Sequence, residues 1–296
     1  MSMSFWRKEV DEMKTKVKII ADSTCDLTDG LLQAHDIGMI PLCIVMDDKS
    51  YFDRTEISPE EIFRWAEEHK TTPKTAAISM EMAVETVRPY VEAGQDVVFF
   101  GISEDMSTTC NVMRLAAEEL GTDRVFVVDS ENLSTGIGLQ VLRAAEMAGA
   151  GASAEEIVER IERDRCKVRA SFVVDTLTYL ARGGRCSSVT ALLANTLKLK
   201  PRIEVKDGRM QVDKKYRGTL DRVLVKYTRD MKEELLMADE KRVFITHSGC
   251  DCQVVEEVRS YLAGLGRFDE IIETRAGGVI SSHCGPGTLG VLFYLK

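Results

Sequence analysis

Val97 to Leu120 reads VVFFGISEDMSTTCNVMRLAAEEL, and the fold follows from it. Four apolar residues, Val97 to Phe100, are β-branched or aromatic and read as a short buried strand. A run of hydroxyls and acids follows, Ser103-Glu104-Asp105-Met106-Ser107-Thr108-Thr109. Val112, Leu115 and Ala116 then share one stripe of a helix, with Arg114, Glu118 and Glu119 off it. A strand that runs through hydroxyls into a helix directs side-chain donors and free backbone N–H groups at one spot, which suits an anion. The same residues are also satisfied by a simple N-cap at Ser107 or Thr108, and the loop alone leaves both readings open.

The pattern recurs. VKIIADSTCD places Asp22, Ser23, Thr24 and Asp26 after an apolar strand, and VFVVDSENLSTG does the same at Asp129 and Ser130. Between them lie a short helix over Leu27–Ala34 and a second strand through Met39–Val45. Ser58-Pro59-Glu60-Glu61 opens a helix that runs to His69, with Ser at N-cap, Pro at the first position and Glu at the third. Strands alternating with helices imply a parallel sheet, whose ligands bind beyond the carboxyl ends of the strands.

A second capping box, Ser153-Ala154-Glu155-Glu156, starts a helix to Arg165. Beyond it come a strand over Ser171–Asp175 and a short helix over Leu177–Ala181, stopped by Gly183-Gly184. Lys206-Asp207-Gly208-Arg209 marks a hairpin between Ile203–Val205 and Met210–Val212. A helix over Thr219–Met237, a strand over Val243–Thr246, a helix over Gln253–Leu265 and a strand over Ile271–Thr274 follow. A last polar cluster, Ser281 to Gly287, comes after Gly277-Gly278. Hairpin plus crossover strands imply a mixed sheet in this half. The expected organisation is α/β with two closely abutting domains, 17–165 and 166–296.

With 296 residues there is room for two domains and a sizeable core. The net charge of −9 argues against a general nucleic-acid binder. No apolar run approaches a membrane span, and the charged start, MSMSFWRKEVDEMKTK, lacks the apolar centre of a signal peptide. Eight scattered cysteines fit reduced thiols and a cytoplasmic location. Cys250-Asp251-Cys252 has too few ligands for a metal site, and His247 at a strand end reads as structural.

Taken in order, several blocks resemble the DegV family, the fatty-acid-binding proteins that serve bacterial fatty acid kinases as acyl-carrying subunits. They are DSTCDL at Asp22, the strand through Pro41-Leu42 with Tyr51 and Asp53, the Thr75 block, and Ile102–Thr109. Asp129-Ser130, TLTYLARGGR at Thr176–Arg185, KPRIEVKDG at Lys200 and HCGPGTLG at His283 complete them. The resemblance implies two α/β domains, a parallel N-terminal sheet with flanking helices and a second domain with a mixed sheet, and a ligand tunnel between them.

It also implies a carboxylate held by Thr75 and Ser103 with His283 nearby, supported by Ser107 and Thr109. Arg185, with Arg182 beside it, is implicated in partnership with the kinase. No catalytic residue, cofactor or metal is implied; the partners are a long-chain fatty acid and a separate ATP-dependent kinase subunit. A small-substrate phosphotransferase or hydrolase using His283 with Ser103, or a lipid sensor without a kinase, are the alternative readings. Glu104, Asp105 and Thr108 depart from the family's Ser-Gly-rich loop, and Ala76-Ala77-Ile78 from its Thr-Ser-Gln-Pro-Ser block. Two acids beside a bound carboxylate would repel it unless they point outward.

Overall fold

The computed structural model describes residues 17–186 and 199–296; the charged N-terminal segment lies outside them. The strands are β1 Val17–Asp22, β2 Gly38–Ile40, β3 Cys43–Met46, β4 Lys49–Phe52, β5 Lys74–Ala76, β6 Asp96–Gly101 and β7 Val125–Asp129. They continue with β8 Val168–Val173, β9 Leu199–Lys206, β10 Arg209–Arg217, β11 Ala238–His247, β12 Glu270–Arg275 and β13 Leu289–Leu295. The helices are α1 Asp29–Ala34, α2 Pro59–His69, α3 Met80–Glu92, α4 Thr109–Glu119, α5 Thr135–Gly149 and α6 Ala154–Asp164. Then come α7 Thr178–Gly183, α8 Leu220–Asp230, α9 Lys232–Leu236, α10 Cys252–Gly264 and α11 Gly278–Cys284.

Among the described residues these strands form three sheets. The N-terminal half forms a parallel sheet in the order β2-β1-β6-β7 and a small antiparallel sheet, β4-β3-β5. The C-terminal half forms a mixed sheet, β10-β9-β8-β13-β11-β12, in which only β11 and β12 run parallel. The expected parallel and mixed sheets are both present. The apolar run Met39–Val45 is two strands rather than one: Pro41, which lacks an N–H, separates β2 of the parallel sheet from β3 of the small one.

Both capping boxes form. The Ser58 and Ser153 hydroxyls accept from the N–H groups of Glu61 and Glu156, whose carboxylates accept in return from the backbone N–H groups of Ser58 and Ser153. The Asp207-Gly208 turn has positive φ at both residues, as a two-residue hairpin requires. The helix expected over Thr219–Met237 breaks at Met231, whose sulfur packs inward and accepts from Ser171 Oγ at 3.4 Å.

Helix α5 joins the halves. It is buried on nearly every side, as a helix enclosed by two layers must be, and it packs on β1 of one sheet and on β8 and β13 of the other. Two of its glycines permit the approach: a Cβ on Gly138 would lie 2.9 Å from Cys25 O, and one on Gly136 would lie 2.0 Å from the Asn132 side chain. One apolar cluster therefore runs from Ile19 and Phe100 through Ile137 to Phe172, Ile203 and Leu292. Among the described residues, no helix is long and apolar enough to cross a membrane.

Candidate functional site

A cavity of about 450 Å³ lies where the halves meet. Its walls are apolar, with Leu42, Ile102, Met106 and Leu133 from one half and Phe172, Leu180, Met210, Ile280 and Leu292 from the other. Polar residues also line it, among them Thr75, Ser107, His283 and Arg185 and the acids Glu104 and Asp105. That combination, an apolar slot with a few convergent polar atoms, is the usual form of a small-molecule site.

Thr75 stands in β5, and its hydroxyl lies 2.9 Å from His283 Nε2. His283 occupies the last turn of α11, a helix where the sequence suggested only a polar cluster. Burial, and secondarily the Arg185 charge, push the His283 imidazolium down to about 4, so the ring is neutral at physiological pH. Its buried Nδ1 has no hydrogen-bond partner. The proton therefore belongs on Nε2, because the other tautomer would bury an unpaired N–H donor. With Nε2–H donating to Thr75, the Thr75 hydroxyl proton is free to meet an anion in the cavity. Gly183 makes this ring position possible: a Cβ there would sit 2.2 Å from His283 Nδ1.

Ser103 and Ser107, both expected near the ligand, stand differently toward the cavity. Ser103 is fully buried, is absent from the cavity lining, and donates its hydroxyl proton to Gly208 O at 2.7 Å. The hairpin turn between β9 and β10 thus engages the donor that the sequence assigned to a carboxylate. Ser107 lines the cavity, with its Oγ 2.9 Å from the buried Thr109 Oγ1 and accepting from Thr109 N at 3.3 Å. Thr109 does not line the cavity; when its hydroxyl donates to Ser107, the Ser107 proton is released to the ligand space. Thr108 is the N-cap of α4 but makes no side-chain capping bond.

The two acids of this loop are neutralised by neighbours. Glu104 pairs with Arg114 at 2.5 Å and Asp105 with Arg209 at 2.9 Å. Arg185 lines the cavity, donates from Nη1 to Gly183 O at 2.7 Å and from Nε to Met106 O at 3.4 Å. Arg182 is exposed and lies outside the lining.

The acids at the strand ends turn out to hold loops rather than ligand. Asp22 accepts from Ile102 N at 2.8 Å and Thr24 N at 2.9 Å, and Asp129 accepts from Glu131 N at 2.9 Å. His247 borders the cavity with both ring nitrogens engaged, Nδ1 accepting from Cys250 N and Nε2 facing Glu273, each at 3.3 Å. Asp251 caps α10 through Gln253 N at 2.8 Å. No group of three or more His, Cys, Asp or Glu among the described residues could hold a metal ion.

Comparison with known proteins points the same way. The family described as uncharacterised proteins of the DegV family matches residues 16–296. A Clostridium perfringens DegV domain-containing protein is 31% identical over 281 residues, covering 95% of this chain and 99% of that protein. A Thermotoga maritima protein named as a fatty acid-binding protein is 33% identical over 282 residues, covering 93% and 96%. Among solved structures, a fatty-acid-binding DegV family protein of Thermus thermophilus is similar with a TM-score of 0.87 at 32% identity, covering 95% of this chain and 99% of that one. A stearic acid-binding protein of Eubacterium ventriosum gives a TM-score of 0.82 at 26% identity, covering 95% and 98%.

Proposed function

Because the chain belongs to the DegV family, we propose that it is a carrier that binds a long-chain fatty acid in the cavity between its halves. The observation that carries this is the pairing of an apolar slot with hydroxyl donors at Thr75 and Ser107 beside a neutral, buried His283. An ionised carboxylate cannot be buried without such donors. An acyl tail of about 14 methylenes, at about 0.8 kcal/mol each, offers on the order of 11 kcal/mol before association costs. Tail burial supplies affinity and the hydroxyls fix orientation.

Exchanging the two serines tests the head-group assignment. Ser107→Ala removes a donor to a charged acceptor and is expected to weaken palmitate binding by about 1.5–3 kcal/mol, roughly ten- to hundredfold. Ser103→Ala strips Gly208 O of its partner instead. It should cost about 1–3 kcal/mol of folding stability and leave affinity within about threefold. Displacement of a fluorescent fatty acid, read beside denaturant unfolding, distinguishes the two. The reverse pattern would return the head group to Ser103.

The finer part of the proposal is that the bound carboxylate is presented to a separate ATP-dependent kinase for acyl-phosphate formation, in a cytoplasmic setting. Arg185 supports it: an exposed cation borders the cavity near enough for its charge to act on His283, where a transferring phosphate could be met. Arg185→Ala is expected to hold fatty acid within about threefold of the parent, since the tail supplies most of the affinity. Acyl-phosphate formation with an acyl kinase and ATP should fall sharply. Loss of binding and transfer together would mean that Arg185 shapes the pocket; loss of neither would remove it from the transfer step. The proposed domains are residues 17–165, which bear the carboxylate-binding loops, and 166–296.

A further inference from the structure

Two buried carboxylates lie outside the cavity lining and have no part in contacting the head group. Asp26 and Asp53 belong to the N-terminal half, yet each accepts from the backbone of the C-terminal half. Asp26 Oδ1 accepts from Gly277 N at 2.8 Å and Asp53 Oδ1 from Gly278 N at 2.7 Å. Their other oxygens are also held: Ser134 Oγ donates to Asp26 Oδ2 at 2.6 Å, and Ser23 Oγ to Asp53 Oδ2 at 2.7 Å. With a donor on each oxygen of both carboxyl groups, neither group is free to turn, and the pair makes a fixed seat.

The seat fits its glycines closely. A Cβ on Gly277 would lie 3.2 Å from Asp53 Oδ2 and 3.3 Å from Asp26 Oδ1. One on Gly278 would meet the Ile44 and Ile62 side chains at 2.6 and 2.8 Å. What is seated is the start of α11, whose next residues, Val279, Ile280, His283 and Cys284, all line the cavity. The far end of the helix is equally confined, since a Cβ on Gly285 would lie 2.6 Å from the Tyr179 ring. The seat also reaches the opposite wall, through Ser134 and through Ser23, which accepts from Leu42 N at 3.2 Å; Ser134 and Leu42 both line the cavity.

We propose that Asp26 and Asp53 are positioning residues for ligand binding, which clamp Gly277 and Gly278 and thereby set where α11 holds His283 against Thr75. Resting on the fatty-acid reading of the cavity, this adds a control on ligand release: opening the clamp lets α11 move and the cavity wall with it. The hydrogen-bond acceptor, not the negative charge, is the working part. Asn at position 26 keeps an oxygen for Gly277 N and tolerates the left-handed backbone there, φ 51°.

The experiment measures release of palmitate from the loaded protein into phosphatidylcholine vesicles, together with the unfolding temperature. Asp26→Ala is expected to speed release about tenfold or more, and Asp26→Asn to stay within about threefold of the parent. In a His283→Ala background, Asp26→Ala should add less than about threefold, because its effect passes through the helix that carries His283. Parent-like release from Asp26→Ala with only a lowered unfolding temperature overturns the inference, as does full additivity with His283→Ala. Should Asp26→Ala fail to fold, Ser23→Ala, at a residue outside the cavity lining, frees one oxygen of Asp53 and the Leu42 N–H; faster release supports the clamp and an unchanged rate overturns it. A parent protein that takes up no palmitate overturns the fatty-acid reading itself, and the clamp's role in release with it.

Discussion

Ile280→Trp is expected to reduce affinity for palmitate by roughly two hundredfold. Ile280 lines the cavity from α11 and is only partly buried, so a larger ring can be accepted without rebuilding the core. Inside the slot an indole occupies space that the tail would otherwise fill. Denying water-free contact to about four methylenes forfeits about 3 kcal/mol, and each 1.4 kcal/mol is tenfold. Octanoate, whose shorter tail leaves part of the slot empty, should lose far less. A titration series from octanoate to stearate separates the outcomes: a loss that grows with chain length places the tail along α11, whereas an equal loss for every length would mean that the substitution damages the head-group end.

Asp26→Asn should change the pH dependence of folding by an amount of similar size. Burial, with a smaller contribution from Asp53 beside it, raises the Asp26 carboxyl from its ordinary value to about 7 against the opposing bonds from Ser134 and Gly277 N and the Arg54 charge. Burial likewise pushes Asp53 up, and Asp22 to about 6. The sign follows from linkage. A carboxyl whose folded pKa lies above its unfolded value contributes its stability below the unfolded value and loses it as pH rises through the folded one. The parent should therefore lose stability relative to Asp26→Asn between about pH 4 and pH 7, by on the order of 4 kcal/mol at most, and the difference should be flat above. Denaturant unfolding of both proteins at pH 5, 6, 7 and 8 checks this. A constant difference across the series would show that Asp26 is ionised in the folded chain throughout.

Where the determinants are local, the chain states its structure openly. The capping boxes at Ser58 and Ser153 form from residues three apart, and the Asp207-Gly208 turn needs only its own φ angles. The parallel and mixed sheets follow from alternation of strands and helices against a hairpin, and the strand-end rule leads to the loop after β6 that borders the cavity. Thr75, Ser107, Arg185 and His283 all line that cavity, although 208 residues separate Thr75 from His283.

Choices made by distant partners were hidden. Ser103 and Ser107 are equivalent donors within their loop, and only the hairpin turn at Gly208, 105 residues away from Ser103, decides which of them is consumed. The same holds for Asp26 and Asp53: as residues of polar loops they look like turn formers, and their work on Gly277 and Gly278 spans 251 and 225 residues. A signal was present in the Gly277-Gly278 pair, since consecutive glycines before a helix mark a place where another chain segment approaches the backbone. The break at Pro41 was legible from the missing N–H alone, and the apolar run on either side concealed it.

Carriage of a fatty acid is tested most directly by mass spectrometry of the lipid extracted from the purified protein after incubation with palmitate and removal of excess. The expected result is palmitate or a longer endogenous fatty acid in stoichiometric amount, diminished in Ser107→Ala and retained in Ser103→Ala. Extracts free of fatty acid, from a folded protein exposed to saturating palmitate, would contradict it.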